Sequence, residues 1–267
     1  MTGTIEPAVL VERRGHVMIV TINRPEARNA VNEAVWVGAG DALAEADRDV
    51  DVRVVVITGA GEQSFCAGAD LKALSRGERI APADPETLAW GFAGIVSHAI
   101  SKPLIAAVNG TALGGGTEIA LACDLAMAAE GASFGLPEVK RGILAGAGGA
   151  FRLARQLPGK IAMEMLLTGD PIDASRALEL GLINAVVPRA GLIDAAVALA
   201  ERIAVNAPLS VQASKRIALG IVDGRIASDD AAWAQTRKES ATVMRSEDAR
   251  EGPKAFAEKR APVWKGR

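Results

Sequence analysis

Four apolar, largely β-branched runs, each closed by a turn signal, constrain this chain most: "HVMIVTINRPEARN" from His16, "VRVVVITGAGEQ" from Val52, "PLIAAVNG" from Pro103 and "DLAMAAEGASFG" from Asp124. Runs with so little polar character read as buried strands. Helical stretches fall between them: "NEAVWVGAGDALAEADRD" from Asn32, "DPETLAWGFAGIVSHAIS" from Asp84 and "TEIALAC" from Thr117. The alternation predicts an α/β core. With 267 residues and a hydrophobic fraction of 49%, the chain has ample material for one large domain.

The pattern changes from about Pro188. "GLIDAAVALAERIAVNAPLSVQASKRIALGIV" and "ASDDAAWAQTRKESATVM" read as helix after helix with no strand between them. A tail of this kind has few ways to bury its apolar faces alone, so it is expected to dock on the core or on another subunit. The polar segment Leu74–Glu86, which contains two prolines, is expected to be the most mobile.

Thirty basic residues against 32 acidic ones leave a formal net charge of -2, a balance that favours neither nucleic acid nor an anionic membrane as partner. The start "MTGTIEPAVLVERRGHV" holds no apolar core of signal-peptide length, and Glu6 and Glu12 argue against a transit peptide. No apolar run reaches the roughly 18 to 20 residues of a membrane span, so a cytoplasmic protein is expected. The two cysteines, Cys66 and Cys123, form no CxxC pair and read as free thiols in the core.

Several chemistries fall away for lack of residues. "GAGEQS" after the Val52 run lacks the third glycine of a dinucleotide fingerprint, and no GK[ST] phosphate loop occurs. "GASFG" matches a nucleophile elbow around Ser133, but both histidines, His16 and His98, precede it where a hydrolase needs one after. Two distant histidines and no cysteine cluster give a metal almost no ligands, and the absence of tyrosine removes phenolic acid-base chemistry.

Carboxylates and backbone amides remain. Gly114, Gly115 and Gly116 lead directly into "TEIALAC", so N–H groups at a helix start can approach a ligand without side-chain interference. A second small-residue turn, "CAGAD" from Cys66 to Asp70, follows another buried strand. Two such turns aimed at one oxygen would each supply roughly 3 to 4 kcal/mol to a developing oxyanion in a water-excluded site. Taken alone, Glu118 also reads as a first-turn acid favoured by the helix dipole, and Glu138 as a solvated residue behind Pro137.

The order "NRPEARNAV", "SFCAGADLKAL", "KPLIAAVNGTALGGGTEIALACDLAMAAEGASFGLPEV" and "GAGGAFRLARQLP", with "GPKAFAEKRAPVW" near the end, resembles the enoyl-CoA hydratase/isomerase family, the crotonase superfamily. The likeness covers nearly the whole chain. It implies an α/β crotonase fold: a superhelical core of repeated ββα units in residues 1–195 and a helical C-terminal trimerisation region in residues 196–267. It also implies a homotrimer, or a hexamer built as a dimer of trimers.

At the site, the resemblance implies that the backbone N–H groups of Ala69 and Gly115 bind the thioester carbonyl of an acyl-CoA. Glu118 and Glu138 match the two acids of hydratases, Glu118 activating water and Glu138 protonating C2, while the backbone of Gly146 helps to seat the water. For CoA it implies contacts near Ala27, Ala67 and Asp70 and cationic contacts from Arg28 or Lys72. Phe256 and Lys259 match positions that, in hexameric relatives, reach the nucleotide of CoA on a neighbouring subunit. CoA is then the carrier of the substrate, with no separate cofactor or metal.

The implied activity is reversible syn addition of water to a trans-2-enoyl-CoA. Isomerisation of a 3-enoyl-CoA, non-catalytic acyl-CoA binding and RNA binding are the alternatives within the superfamily. A dehalogenase would need a carboxylate near Gly146. One local departure stands out: hydratases of the family often read "GTIPGAGGTQRL" where this chain has "RGILAGAGGAFRL", with Ala145 in place of proline. That change is expected to affect chain-length preference or the placement of water. Trp90 and Phe92 are expected in the acyl pocket.

Overall fold

The computed structural model describes residues 6–267; residues 1–5, the start of the N-terminal stretch read above for targeting signals, lie outside the described residues. The first third carries β1 (Val9–Arg14), β2 (Val17–Ile22), α1 (Glu33–Arg48), β3 (Val54–Gly59), β4 (Ser64–Cys66), α2 (Leu71–Ser75) and α3 (Pro85–Ala89). Next come β5 (Leu104–Val108), β6 (Thr111–Leu113), α4 (Gly115–Ala122), β7 (Leu125–Ala129) and β8 (Ser133–Gly135). They are followed by α5 (Gly149–Gln156), α6 (Gly159–Thr168), β9 (Ile172–Asp173), α7 (Ala174–Glu179) and β10 (Ala185–Val187). The chain ends with α8 (Leu192–Ala204), α9 (Pro208–Leu219), β11 (Ile221–Val222), β12 (Arg225–Ile226), α10 (Asp230–Val243) and α11 (Asp248–Ala257).

The four apolar runs supply β2, β3, β5 and β7, neighbours in a six-stranded sheet of order β1-β2-β3-β5-β7-β10 that is parallel except for β1. Their side chains alternate between two packed faces. Val55 and Ile57 of β3 join the core beneath α1, while Val54 and Val56 meet α8 on the other face. Each such side chain removed from water contributes about 1.5 to 3 kcal/mol. The buried face of α8 is Leu192, Ala196, Val197, Ala200 and Ala204, an i, i+4, i+8 stripe. This helix, which spans the expected boundary near residue 195, forms the outer layer of the large sheet.

A second, smaller sheet decides where chemistry can occur. Its order is β4-β6-β8-β9, with β4, β6 and β8 parallel and β9 antiparallel to β8. Thus β3 and β4, β5 and β6, and β7 and β8 are three repeats, each placing one strand in the large sheet and the next in the small one. A helix or 3-10 turn closes each repeat: α2, α4 and the 3-10 turn Pro137–Arg141. Because the three short strands are parallel, their exits lie side by side at one end of the small sheet.

Two expectations need correction. The stretch 84–101 is not one helix: only Pro85–Ala89 is α-helical, and the left-handed residues Gly91 (φ 72°), Ala93 (φ 60°) and Gly94 (φ 70°) break the remainder. The loop must dock on α1, and a methyl group on Gly94 would lie 2.3 Å from the Trp36 carbonyl oxygen. The C-terminal region also contains strands, since β11 and β12 form a short hairpin between α9 and α10. It turns on Asp223 (φ 48°) and Gly224 (φ 70°), the left-handed pair that an Asp-Gly hairpin turn requires.

Candidate active site

Each exit of the small sheet delivers one element of the site. Three residues after β4 stands Ala69, two after β6 stands Gly115, and three after β8 stands Glu138. The turn after β4 is fixed to its neighbours by backbone bonds: the Val31 N–H donates to Gly68 O (2.8 Å), the Asp70 N–H to Val31 O (2.9 Å) and the Ala67 N–H to Arg28 O (3.1 Å). A methyl group on Gly68 (φ 90°) would lie 3.2 Å from the Gly115 nitrogen, and one on Gly116 only 2.0 Å from Cys66 O. Glycine is therefore required for the two turns to touch.

Neither the Ala69 N–H nor the Gly115 N–H donates to a protein acceptor among the described residues. For Gly115 the reason is its place as the first residue of α4, ahead of any intrahelical acceptor. Two backbone donors thus stand free on abutting turns. Behind them the Thr117 hydroxyl, fully buried, lies 2.7 Å from Ala112 O and 3.0 Å from Gly135 O, and accepts from the Gly135 N–H at 2.9 Å. It holds α4 against both β6 and β8, a role the sequence reading did not assign.

Glu118 lies one turn into α4 and is 3% exposed. Its Oε1 accepts from the Ala147 N–H (2.7 Å) and the Gly149 N–H (2.8 Å). These donors belong to the "AGAGG" stretch that leads into α5, whose first residue is Gly149, and a methyl on Gly149 would sit 2.8 Å from Glu118 Cγ. Glu138, on the Pro137–Arg141 turn, brings Oε1 to 3.1 Å from the position of a methyl on Gly114, while its Oε2 is buried with no hydrogen-bond partner. Glu118 is indeed in the first turn of α4 but is buried there, and Glu138 is half-buried with its Oε2 enclosed rather than solvated. Burial pushes Glu118 up to about 8, with the charge of Glu138 as the second cause and the two N–H donors opposing; burial likewise pushes Glu138 up to about 7. Near neutral pH the pair holds about one proton, so one member can give a proton while the other takes one.

The remaining predicted residues divide into two groups. Ala27, Arg28, Ala67, Asp70 and Lys72 gather on the β4 side, where Arg28 is left-handed (φ 54°) at the end of the 3-10 turn Pro25–Ala27. Asp70 caps α2 by accepting from the Ala73 N–H (3.0 Å) and pairs with Arg24 at 2.9 Å, and Lys72 is exposed on α2. Two open depressions of about 620 and 420 Å³ flank Arg28 and share Glu62 and Gln63; Glu118 and Glu138 line neither. On the Glu138 side, Phe256 lies under the Arg141 guanidinium (4.0 Å to the ring centroid), and Lys259 is left-handed (φ 54°) beyond α11. Gly146 is exposed, and a methyl on it would lie 3.3 Å from Ser240 Oγ of α10.

The ring edge of Phe92 occupies the space of a Gly115 side chain: Cε1 lies 2.3 Å from where a methyl would be. Trp36 packs on it edge-to-face at 5.8 Å. Trp90 stacks on His98 at 4.6 Å. Ser133 of the discarded elbow motif is a half-buried strand residue of β8, and burial pushes the thiols of Cys66 and Cys123 up to about 12. Among the described residues no three His, Cys, Asp or Glu side chains are grouped to hold a metal, and no helix is long and apolar enough to cross a membrane.

The chain that carries this arrangement is similar over nearly its whole length to known proteins. The carnitinyl-CoA dehydratase of Salmonella typhi is 44% identical over 260 residues, covering 96% of this chain and 97% of that protein. A crystal structure of carnitinyl-CoA hydratase from Mycobacterium avium superposes with a TM-score of 0.96 at 63% identity, covering 98% of this chain and all of that one. The enoyl-CoA hydratase of Mycobacterium tuberculosis H37Rv has a TM-score of 0.75 at 46% identity, with the same coverage. Residues 12–267 match the enoyl-CoA hydratase/isomerase family, and the chain belongs to it.

Proposed function

We propose that this protein catalyses reversible addition of water to a trans-2-enoyl-CoA, giving the 3-hydroxyacyl-CoA. The observation that carries the reading is a pair of acids withdrawn from solvent, Glu118 buried on α4 and Glu138 half-buried with its Oε2 enclosed, near two unpaired backbone donors. The Ala69 and Gly115 N–H groups bind the thioester oxygen and draw electrons from the double bond, which makes C3 electrophilic. Water adds its oxygen to C3, one carboxylate takes the water proton, and the other carboxyl delivers a proton to C2 as the enolate collapses. Atoms balance with no further reactant.

Glu118 is assigned to water, because two N–H bonds fix its Oε1 and leave Oε2 to accept, and Glu138 to C2. Addition of water needs Glu118 ionised and Glu138 protonated, so this assignment places the shared proton on Glu138 when substrate and water bind. Exchange at C2 tests this: Glu118→Gln should retain solvent exchange of the C2 hydrogen better than Glu138→Gln, and the reverse order would exchange the two roles.

Relatives named for carnitinyl-CoA give the substrate class its first candidate, a 3-hydroxyacyl thioester bearing a quaternary ammonium at C4, whose dehydration is the same reaction run backward. The test is loss of the enoyl-thioester absorbance across straight-chain 2-enoyl-CoAs and the C4-ammonio crotonyl analogue. Product mass should rise by one water. Turnover of 3-enoyl-CoA with gain of absorbance and no hydration would establish isomerisation instead, and binding without turnover a non-catalytic acyl-CoA carrier.

A further inference from the structure

Arg152, in the first turns of α5, is an arginine with 8% exposure in the middle of the fold. Its guanidinium meets three separate segments. Nη2 donates to Val96 O (2.7 Å) in the loop that carries Phe92, and Nη1 lies at the limit of bonding distance from Ala147 O (3.5 Å) in the turn that cradles Glu118. Nη2 also lies 3.6 Å from Asp229 Oδ2 at the entry of α10. The group spans the rings of Phe151 and Trp233, at 5.1 and 5.3 Å from their centroids. Gly148 (φ 97°) makes the approach possible, since a methyl there would lie 2.3 Å from Nη1 and 3.1 Å from Trp233 Cη2.

We infer that Arg152 is a positioning residue that ties the entry of α10 and the Phe92 loop to the glycine turn holding Glu118. Three arguments support this, and it rests on the hydratase reading only for its effect on turnover. A buried cation needs fixed partners, and here they come from three segments, the Val96 loop, the Ala147 turn and the entry of α10, so a shift of any one of them weakens its pairing. The Ala147 residue whose carbonyl faces Arg152 is the one whose N–H binds Glu118, so the two contacts sit on one residue. Finally, the titratable groups facing Arg152 are Asp229, Glu118, Arg155 and the Cys123 thiol, which burial keeps neutral, and those facing Glu118 are Glu138 and Arg152. Arg152 is thus the cation facing Glu118 and favours its ionised form. Asp229 is shared with Arg155, which holds it in place.

The test compares Arg152→Met, Arg152→Lys and Asp229→Asn with wild type by kcat, KM, their pH profiles and thermal stability. A ¹³C-carboxyl titration of Glu118 accompanies them and needs no turnover. For Arg152→Met the expected result is a fall in kcat of about tenfold to a hundredfold with KM within about threefold, as for a misplaced catalytic geometry. The Glu118 titration should move to higher pH. Arg152→Lys, which keeps the charge but not the fork, should restore most of the titration and only part of kcat. Asp229→Asn, which leaves Arg152 present, should lower kcat less, and it carries the test if the Met variant does not fold. Unchanged Glu118 titration and kcat, or loss of thermal stability alone, would overturn the inference. A wild type without turnover on any enoyl-CoA would remove the hydratase reading, while the titration would still decide whether Arg152 acts on Glu118.

Discussion

Replacing Glu118 with glutamine should lower kcat by at least about a hundredfold and, at alkaline pH, stabilise the protein. The folded state raises this carboxyl from 4.5 to about 8, a span of roughly 3.5 units, mainly because burial penalises its charge. The folded protein therefore binds more protons than the unfolded chain between those two values, and stability falls as pH rises through that window. At about 1.4 kcal/mol per unit, ionised Glu118 costs on the order of 5 kcal/mol at pH 8 and above. Glutamine is isosteric, can still accept from the Ala147 and Gly149 N–H groups, and carries no charge. The unfolding free energy of Glu118→Gln minus that of wild type should thus be near zero at pH 4.5 and rise by several kcal/mol by pH 8. Urea unfolding at a series of pH values and one fixed protein concentration measures it. A difference that stays flat with pH, or a variant less stable than wild type at pH 8, would refute the argument that burial sets the chemistry of this carboxyl.

Other outcomes follow from the same geometry. If the one-proton form of the acid pair is the active one, kcat/KM should peak between about pH 7 and 8 and fall on both sides; Glu138→Gln should remove one limb, as a pH–rate series would show. Gly115→Ala places a methyl 2.3 Å from Phe92 Cε1 and should displace an oxyanion donor, lowering kcat by about a hundredfold. Adding Phe92→Ala should recover thermal stability more than kcat. Asp70→Ala removes the cap of α2 and unpairs Arg24, and should cost roughly 2 to 3 kcal/mol in urea unfolding at pH 7.

What could be read in the sequence follows the physics of burial. β2, β3, β5 and β7 were visible because both of their faces are packed, which leaves long apolar runs. The strands of the small sheet, β4, β6 and β8, are three residues each, too short for any period to show, and yet they aim the site. Glycine turns carried the signal that their strands did not. The stretch from Asp84 looks helical in composition, but its glycines serve the close approach to α1 rather than a helix. The Asp223-Gly224 pair is a hairpin turn signal, but the strands it joins are two residues each, too short to stand out from the helical pattern around them. Thr117 and Arg152 gave no local sign, because their roles depend on partners that only the fold brings near: Gly135 for one, Val96 and Asp229 for the other.

The most direct test of the account is turnover of a trans-2-enoyl-CoA by wild type, Glu118→Gln and Glu138→Gln, alongside the affinity of each for a saturated acyl-CoA that cannot react. The account predicts hydration by wild type, a loss of at least about a hundredfold in kcat in each variant, and acyl-CoA affinity within a few-fold of wild type in all three. Turnover close to wild type in either variant, with binding unchanged, would contradict it.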